Sequence, residues 1–154
     1  MNKRTDLSRE DYLTMNRLCL SASLRRTERL VTRHYDARLA NAGVTAVQLP
    51  ILSIIAAVEY PTFRLLAEQL ELDRSTLSRN LTILERDGLV ELGAPSGPKP
   101  GKLALTRRGR DALRRAHKQW QKAHGELVDA LESRKVDEGL AFLKTLRAKV
   151  RGGR

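Results

Sequence analysis

Apolar residues recur with a helical period over most of the chain and with a strand period in one place. From Ser8 to about Ala40, the apolar positions Tyr12, Met15, Cys19, Ala22, Leu30 and Leu39 predict one long helix. Ser8 with Asp11 three residues on is a capping-box start. Asn41-Ala42-Gly43 is a stop, because Gly takes the left-handed conformation at least cost. Thr45 and Gln48 form a second capping box, for a helix running to about Glu59. Pro50 deletes a backbone bond beyond the first turn, so that helix is predicted to kink or to start late. Tyr60-Pro61 breaks the chain, and Thr62 can cap a short helix with Leu66, Ala67 and Leu70 facing inward. Glu71-Leu72 is a turn, and Asp73 is an N-cap for a helix to about Asp87, with Leu77, Leu81 and Leu84 as its buried stripe.

Gly88 ends that helix, and two short strands follow, Leu89–Leu92 and Lys102–Leu105. The loop between them carries Pro95, Gly97, Pro98, Lys99, Pro100 and Gly101. Thr106 opens a long helix whose apolar positions Leu113, Ala116, Trp120, Ala123, Leu127 and Ala130 form a heptad seam suited to helix pairing. After a break near Ser133, Val136, Leu140, Leu143 and Val150 line a last helix. The predicted fold class is mostly α, with about six helices and one β-hairpin; 154 residues make one domain's worth of core.

Two short helices joined by a few residues are a helix-turn-helix candidate. The outward side of the second decides what it could bind. Opposite Leu77, Leu81 and Leu84 lie Ser75, Arg79, Thr82 and Arg86, flanked by Thr76 and Ser78, with Arg74 at the N-terminus. Small hydroxyl side chains let a helix sit deep in the major groove, and Arg can bind guanine O6 and N7 together. The alternative is an ordinary amphipathic helix with a solvated charged face. A basic hairpin directly after it favours DNA, as a wing beside a reading helix, with Lys99 and Lys102 as its cations.

Charge sharpens this picture. The chain holds 29 Lys plus Arg against 18 Asp plus Glu, a net charge of +11, which favours polyanionic partners. Residues 94–118 contain eight basic side chains and one acid, Asp111. The longest apolar run, Leu49 to Val58, is too short to span a bilayer, and no signal-peptide pattern is visible at the N-terminus. One cysteine excludes an intrachain disulfide, and His34, His117 and His124 lack metal-ligand spacing. A cytoplasmic protein with double-stranded DNA as partner is expected, without membrane, metal or cofactor. No nucleophile–base pair points to an enzyme.

Residues 63–109 resemble the winged-helix domain of MarR-type transcriptional regulators. The resemblance rests on Leu66-Ala67, Leu70, Asp73-Arg74-Ser75-Thr76-Leu77, Arg79-Asn80-Leu81, Leu84-Glu85-Arg86, Gly88-Leu89-Val90 and Leu105-Thr106 with Gly109. Upstream, Tyr35-Asp36, Leu39, Gly43 and Gln48 fit as well, and Trp120 with its seam fits the family's dimerisation helices. The resemblance implies a homodimer on a pseudo-palindromic operator, probed by Ser75, Thr76, Ser78 and Arg79. Its parts would be N-terminal helices over 8–60, a winged lobe over 61–106 and dimerisation helices over 107–150. The family's wing carries an Asp-x-Arg motif; here Gly97 and Lys99 hold those places, so the wing is expected to hold phosphate more than to read sequence.

The resemblance also implies a repressor released by a small molecule, in a cleft where relatives bind aromatic acids and that Arg26, His34, Gln48 and Trp120 could face. Gln48 is equally a cap, Arg26 and His34 equally surface residues, and Trp120 alone reads more readily as core. Cys19 alone reads as a small buried hydrophobe, although some relatives use a cysteine there to sense oxidants. A basic structural nucleic-acid-binding protein without an effector is the other alternative.

Overall fold

A computed structural model describes residues 6–93 and 103–153. The elements run α1 (Arg9–Leu18), α2 (Leu20–Leu39), a 3-10 turn (Ala40–Ala42), α3 (Gln48–Ala57), α4 (Phe63–Leu70), α5 (Arg74–Arg86), β1 (Val90–Leu92), β2 (Leu103–Leu105), α6 (Arg107–Leu131) and α7 (Ser133–Gly152). The chain divides between His34 and Tyr35 into two compact units.

In the first unit Ser8 and Asp11 make the expected capping box: Asp11 N–H donates to Ser8 Oγ at 3.1 Å, and Ser8 N–H donates to Asp11 Oδ2 at 2.9 Å. The single helix expected from Ser8 to Ala40 is instead interrupted at Cys19, whose backbone is extended at φ −68° and ψ 108°. No Pro or Gly marks the break, which is why the apolar period runs through it. Across it the Arg26 guanidinium donates to Asn16 Oδ1 at 3.0 Å. Tyr12, Leu13, Met15 and Leu18 of α1 are all exposed.

The second unit holds the core. Leu39, Ile51, Leu52, Leu66, Leu77, Leu84 and Val90 are fully buried there, joined by Ala112 and Ala116 of α6. Full burial of each such leucine contributes about 1.5–3 kcal/mol. Thr45 and Gln48 bond reciprocally across the turn that leads into α3, Gln48 N–H to Thr45 Oγ1 at 3.2 Å and Thr45 N–H to Gln48 Oε1 at 3.0 Å. Because α3 begins at Gln48, Pro50 falls in its first turn, where its missing N–H has no intrahelical partner to lose. The late start, not the kink, is what forms.

Thr62 caps α4 through Leu65 N–H at 3.2 Å, and Glu71 closes it in the left-handed conformation at φ 53°. The turn into α5 is further held from α7, whose Arg151 donates to Glu71 Oε1 at 2.6 Å. Leu77, Leu81 and Leu84 form the buried face of α5 as the spacing predicts. Gly88, at φ +67°, then turns the chain into an antiparallel pair in which Val90 faces Leu105 and Leu92 faces Leu103. Residues 94–102, with Lys99 and Lys102, lie outside the described residues.

Candidate nucleic-acid interface and adjoining cleft

Asp73 organises the N-terminus of α5. Its Oδ1 accepts from Thr76 N–H at 2.8 Å and from Ser75 Oγ at 2.6 Å, and its Oδ2 accepts from Thr76 Oγ1 at 2.7 Å. These bonds, the Ser75 hydroxyl first, hold the carboxyl far below the usual range. An ionised carboxylate can only accept, so both hydroxyl protons point to Asp73, which leaves the lone pairs of the exposed Ser75 hydroxyl to solvent and those of Thr76 within reach of Arg79. Arg74 lies over the Phe63 ring, 5.8 Å from its centroid, tying α5 to α4.

The outward face carries Ser75, Ser78, Arg79, Thr82 and Arg86, all exposed. Arg79 folds back on its own helix, with Nε donating to Ser75 O at 3.3 Å and a terminal nitrogen 3.5 Å from Thr76 Oγ1. Those are long, solvent-facing contacts that a ligand can displace. Arg86 is differently placed: its Nε meets Asp87 Oδ1 at 3.0 Å, so its charge is compensated. The seven residues expected on this element thus separate into a hydroxyl pair fixed by Asp73, a stacked Arg74, a paired Arg86, and Ser78, Arg79 and Thr82 presented outward.

Because its folded-state pKa is depressed, Asp73 contributes stability that is fully present above about pH 4 and fades as the pH falls through the folded value. Asp73→Asn keeps an acceptor for the Thr76 amide but loses the carboxylate. Thermal unfolding across a pH series is expected to give the variant a lower midpoint at neutral pH and a gap that narrows below about pH 4. A gap constant with pH would contradict this account.

Behind α5 the hairpin is tied to the start of α6. Thr106 Oγ1 donates to Gly88 O at 2.7 Å and accepts from Gly109 N–H at 2.9 Å, so one side chain closes the strand and caps the helix. Gly109 lies against Leu89 so closely that a Cβ would stand 1.9 Å from the Leu89 carbonyl oxygen. The Arg110 guanidinium donates to Leu105 O at 2.7 Å. Arg107 and Arg108 are exposed beside it.

A cleft of about 1580 Å³ opens between α3 and the first half of α6, with Tyr35, Leu39 and Leu105 also on its wall. Trp120, read more readily as core, is instead 36% exposed and lines this cleft. Its ring stacks on His124, with centroids 5.0 Å apart, and more loosely on His117 at 6.1 Å. His124 Nδ1 and the Tyr35 hydroxyl are hydrogen-bonded at 3.2 Å, and burial pushes the Tyr35 phenol up. Gln48 is buried, committed to its bonds with Thr45 and absent from the cleft wall. Arg26 and His34 belong to the first unit. Cys19 is exposed, against the expectation of a buried hydrophobe, because it sits at the break between α1 and α2 rather than on a packed helical face. Spacing could not have assembled this cleft, since its wall comes from four separated segments. Among the described residues no cluster of metal-ligating side chains occurs, and no helix is long and apolar enough to cross a membrane.

A sequence model of the MarR family matches residues 42–99. The solved structure of the M. tuberculosis transcriptional regulator MosR is similar at 31% identity and TM-score 0.73, covering 87% of this chain and 98% of that one. MosR in complex with DNA matches at 30% identity and TM-score 0.73, over 86% of this chain and 98% of MosR. A mutant MarR from E. coli complexed with operator DNA matches at 25% identity and TM-score 0.74, over 87% and 97% of the two chains. The repressor CouR bound to p-coumaroyl-CoA, at 24% identity and TM-score 0.77 over 92% and 98%, shares the fold. No curated protein matches the chain.

Proposed function

We propose, because the chain belongs to the MarR family of DNA-binding transcriptional regulators, that it is a repressor acting as a homodimer on a pseudo-palindromic operator. The observation that carries this reading is the outward face of α5. Ser78, Arg79 and Thr82 stand exposed opposite the buried Leu77, Leu81 and Leu84, on the second helix of a helix-turn-helix flanked by a hairpin. The DNA complexes of MosR and of a mutant E. coli MarR support DNA as the partner. Arg79 would read base edges in the major groove, and Ser75 and Thr76, their protons held by Asp73, would accept from base amino groups. Lys99 and Lys102 of the wing, with Arg107 and Arg108, would hold phosphate.

Dimerisation is supported by apolar faces left in solvent. On α1 these are Tyr12, Leu13, Met15 and Leu18; on α7 they are Leu140, Phe142 and Val150. The cleft beside α6 would take a small molecule that releases the DNA, which requires that the molecule bind the released arrangement more tightly.

Selection of duplexes from a random pool by the purified protein tests the reading. An inverted repeat is expected, with half-site centres about 10 bp apart or a multiple of it. Equal affinity for selected and random duplexes would instead favour a basic structural protein that binds nucleic acid without reading it.

A further inference from the structure

One large apolar side chain of α5 stands in solvent. Ile83 is 37% exposed, whereas its neighbours Leu81 and Leu84 are 3% and 0% exposed. It belongs neither to the core nor, among the described residues, to the half-buried apolar side chains packed against the core. Helix propensity does not account for it either, because Ala, Arg, Lys and Glu all form helix better than Ile. With about 100° per residue, Ile83 falls about 40° around the helix from Arg79 and about 20° from Thr76, away from the buried stripe. Helical side chains lean toward the N-terminus, so Ile83 covers the turn that carries Arg79. Arg79 leans the same way, toward Ser75 and Thr76. The presented face is thus a row in which an arginine fork is followed by an apolar patch.

Base-pair edges in the major groove offer donors, acceptors and a single apolar group, the C5-methyl of thymine. An apolar side chain on a helix in that groove therefore has one complementary base. We infer that Ile83 is a specificity-determining residue that packs on a thymine methyl, close to the guanine bound by Arg79. Four residues of helix rise about 6 Å, or about two base-pair steps, which sets the separation of the two base pairs. Cytosine in place of that thymine is disfavoured twice. It lacks the methyl, and its N4 amino group would lose water against Ile83 and gain no acceptor. This inference rests on the reading of α5 as the DNA-reading helix.

The decisive change is made in the DNA, which leaves the protein unaltered. Deoxyuridine in place of thymine deletes one methyl group and keeps every hydrogen bond of the base pair. In the selected duplex, each thymine of one half-site is replaced in turn and binding of the full chain is titrated. One replacement is expected to weaken binding about fourfold, the scale of one buried methyl, and the others to change it by less than about 1.5-fold. The sensitive thymine should neighbour the base pair whose preference Arg79→Ala flattens. Ile83→Ala, which keeps the helix because Ala is the better helix former, should bind the thymine and deoxyuridine duplexes within about 1.5-fold of each other. A methyl effect that survives in Ile83→Ala belongs to another side chain and overturns the inference. If no thymine methyl matters while the selected duplex still outcompetes random DNA, the inference fails and α5 still reads DNA. Equal affinity for selected and random duplexes overturns the reading of α5, and the role of Ile83 with it.

Discussion

Arg79→Ala is expected to weaken binding to the selected duplex by about 10- to 100-fold and to flatten the preference at one base pair of each half-site, as befits loss of a bidentate arginine–guanine contact. The fold should not suffer, since Ala is the better helix former and the Arg79 contacts to Ser75 and Thr76 are long and exposed. Arg86→Ala, which removes a charge already compensated by Asp87, is the internal contrast and should cost less. Arg79→Lys keeps the charge and loses the planar fork, so it should retain the salt slope while relaxing the base preference. Anisotropy titrations against the selected site and its single-base variants, at several salt concentrations, measure each part. An equal loss on every duplex would move Arg79 from base to phosphate.

What could be read from the sequence near α5 was local. The cap at Asp73, the stripe of Leu77, Leu81 and Leu84, and the stop at Gly88 each depend on residues within one or two turns, and all three are as expected. The pairing of Val90–Leu92 with Leu103–Leu105 follows from two apolar runs around a Pro- and Gly-rich loop. The break at Cys19 was not legible, because neither Leu18, Cys19 nor Leu20 is a residue that stops helices.

Trp120 shows a different limit. Periodicity places it on the same face as Ala116 and Ala123, both fully buried, and the heptad reading stops there. Alanines permit a close approach of neighbouring elements, and an indole of that size does not fit the same gap. It leaves sideways into the cleft and stacks between His117 and His124. The cleft itself was invisible for a related reason: Tyr35, Ile54, Leu105 and Arg110 are brought together by packing, with no spacing to announce them.

Gly109→Ala is expected to destabilise the protein although a helix-propensity argument predicts the opposite. Gly109 stands in the first turn of α6, and exchanging a helical Gly for Ala normally stabilises by up to about 1 kcal/mol. Here the added Cβ would meet Leu89 O at 1.9 Å, Leu89 C at 2.9 Å and Leu89 Cα at 3.3 Å, all backbone atoms. That carbonyl cannot swing aside freely, because it also accepts from Thr106 N–H at 3.1 Å, the bond that joins the hairpin to α6. Either α6 lifts off β1 or the Thr106 bond breaks, and overpacking of this kind costs about 1–3 kcal/mol, or about 2–4 °C in thermal midpoint for each kcal/mol in a chain of this size. Gly125→Ala in the same helix meets nothing within 4 Å and should raise the midpoint. The pair therefore shares propensity and differs in contact. Since Leu89 leads directly into β1, the Gly109 variant should also show faster hydrogen exchange across the hairpin, whereas Gly125→Ala should not. Equal gains in midpoint for both variants would mean that the close approach of α6 to Leu89 does not exist in solution.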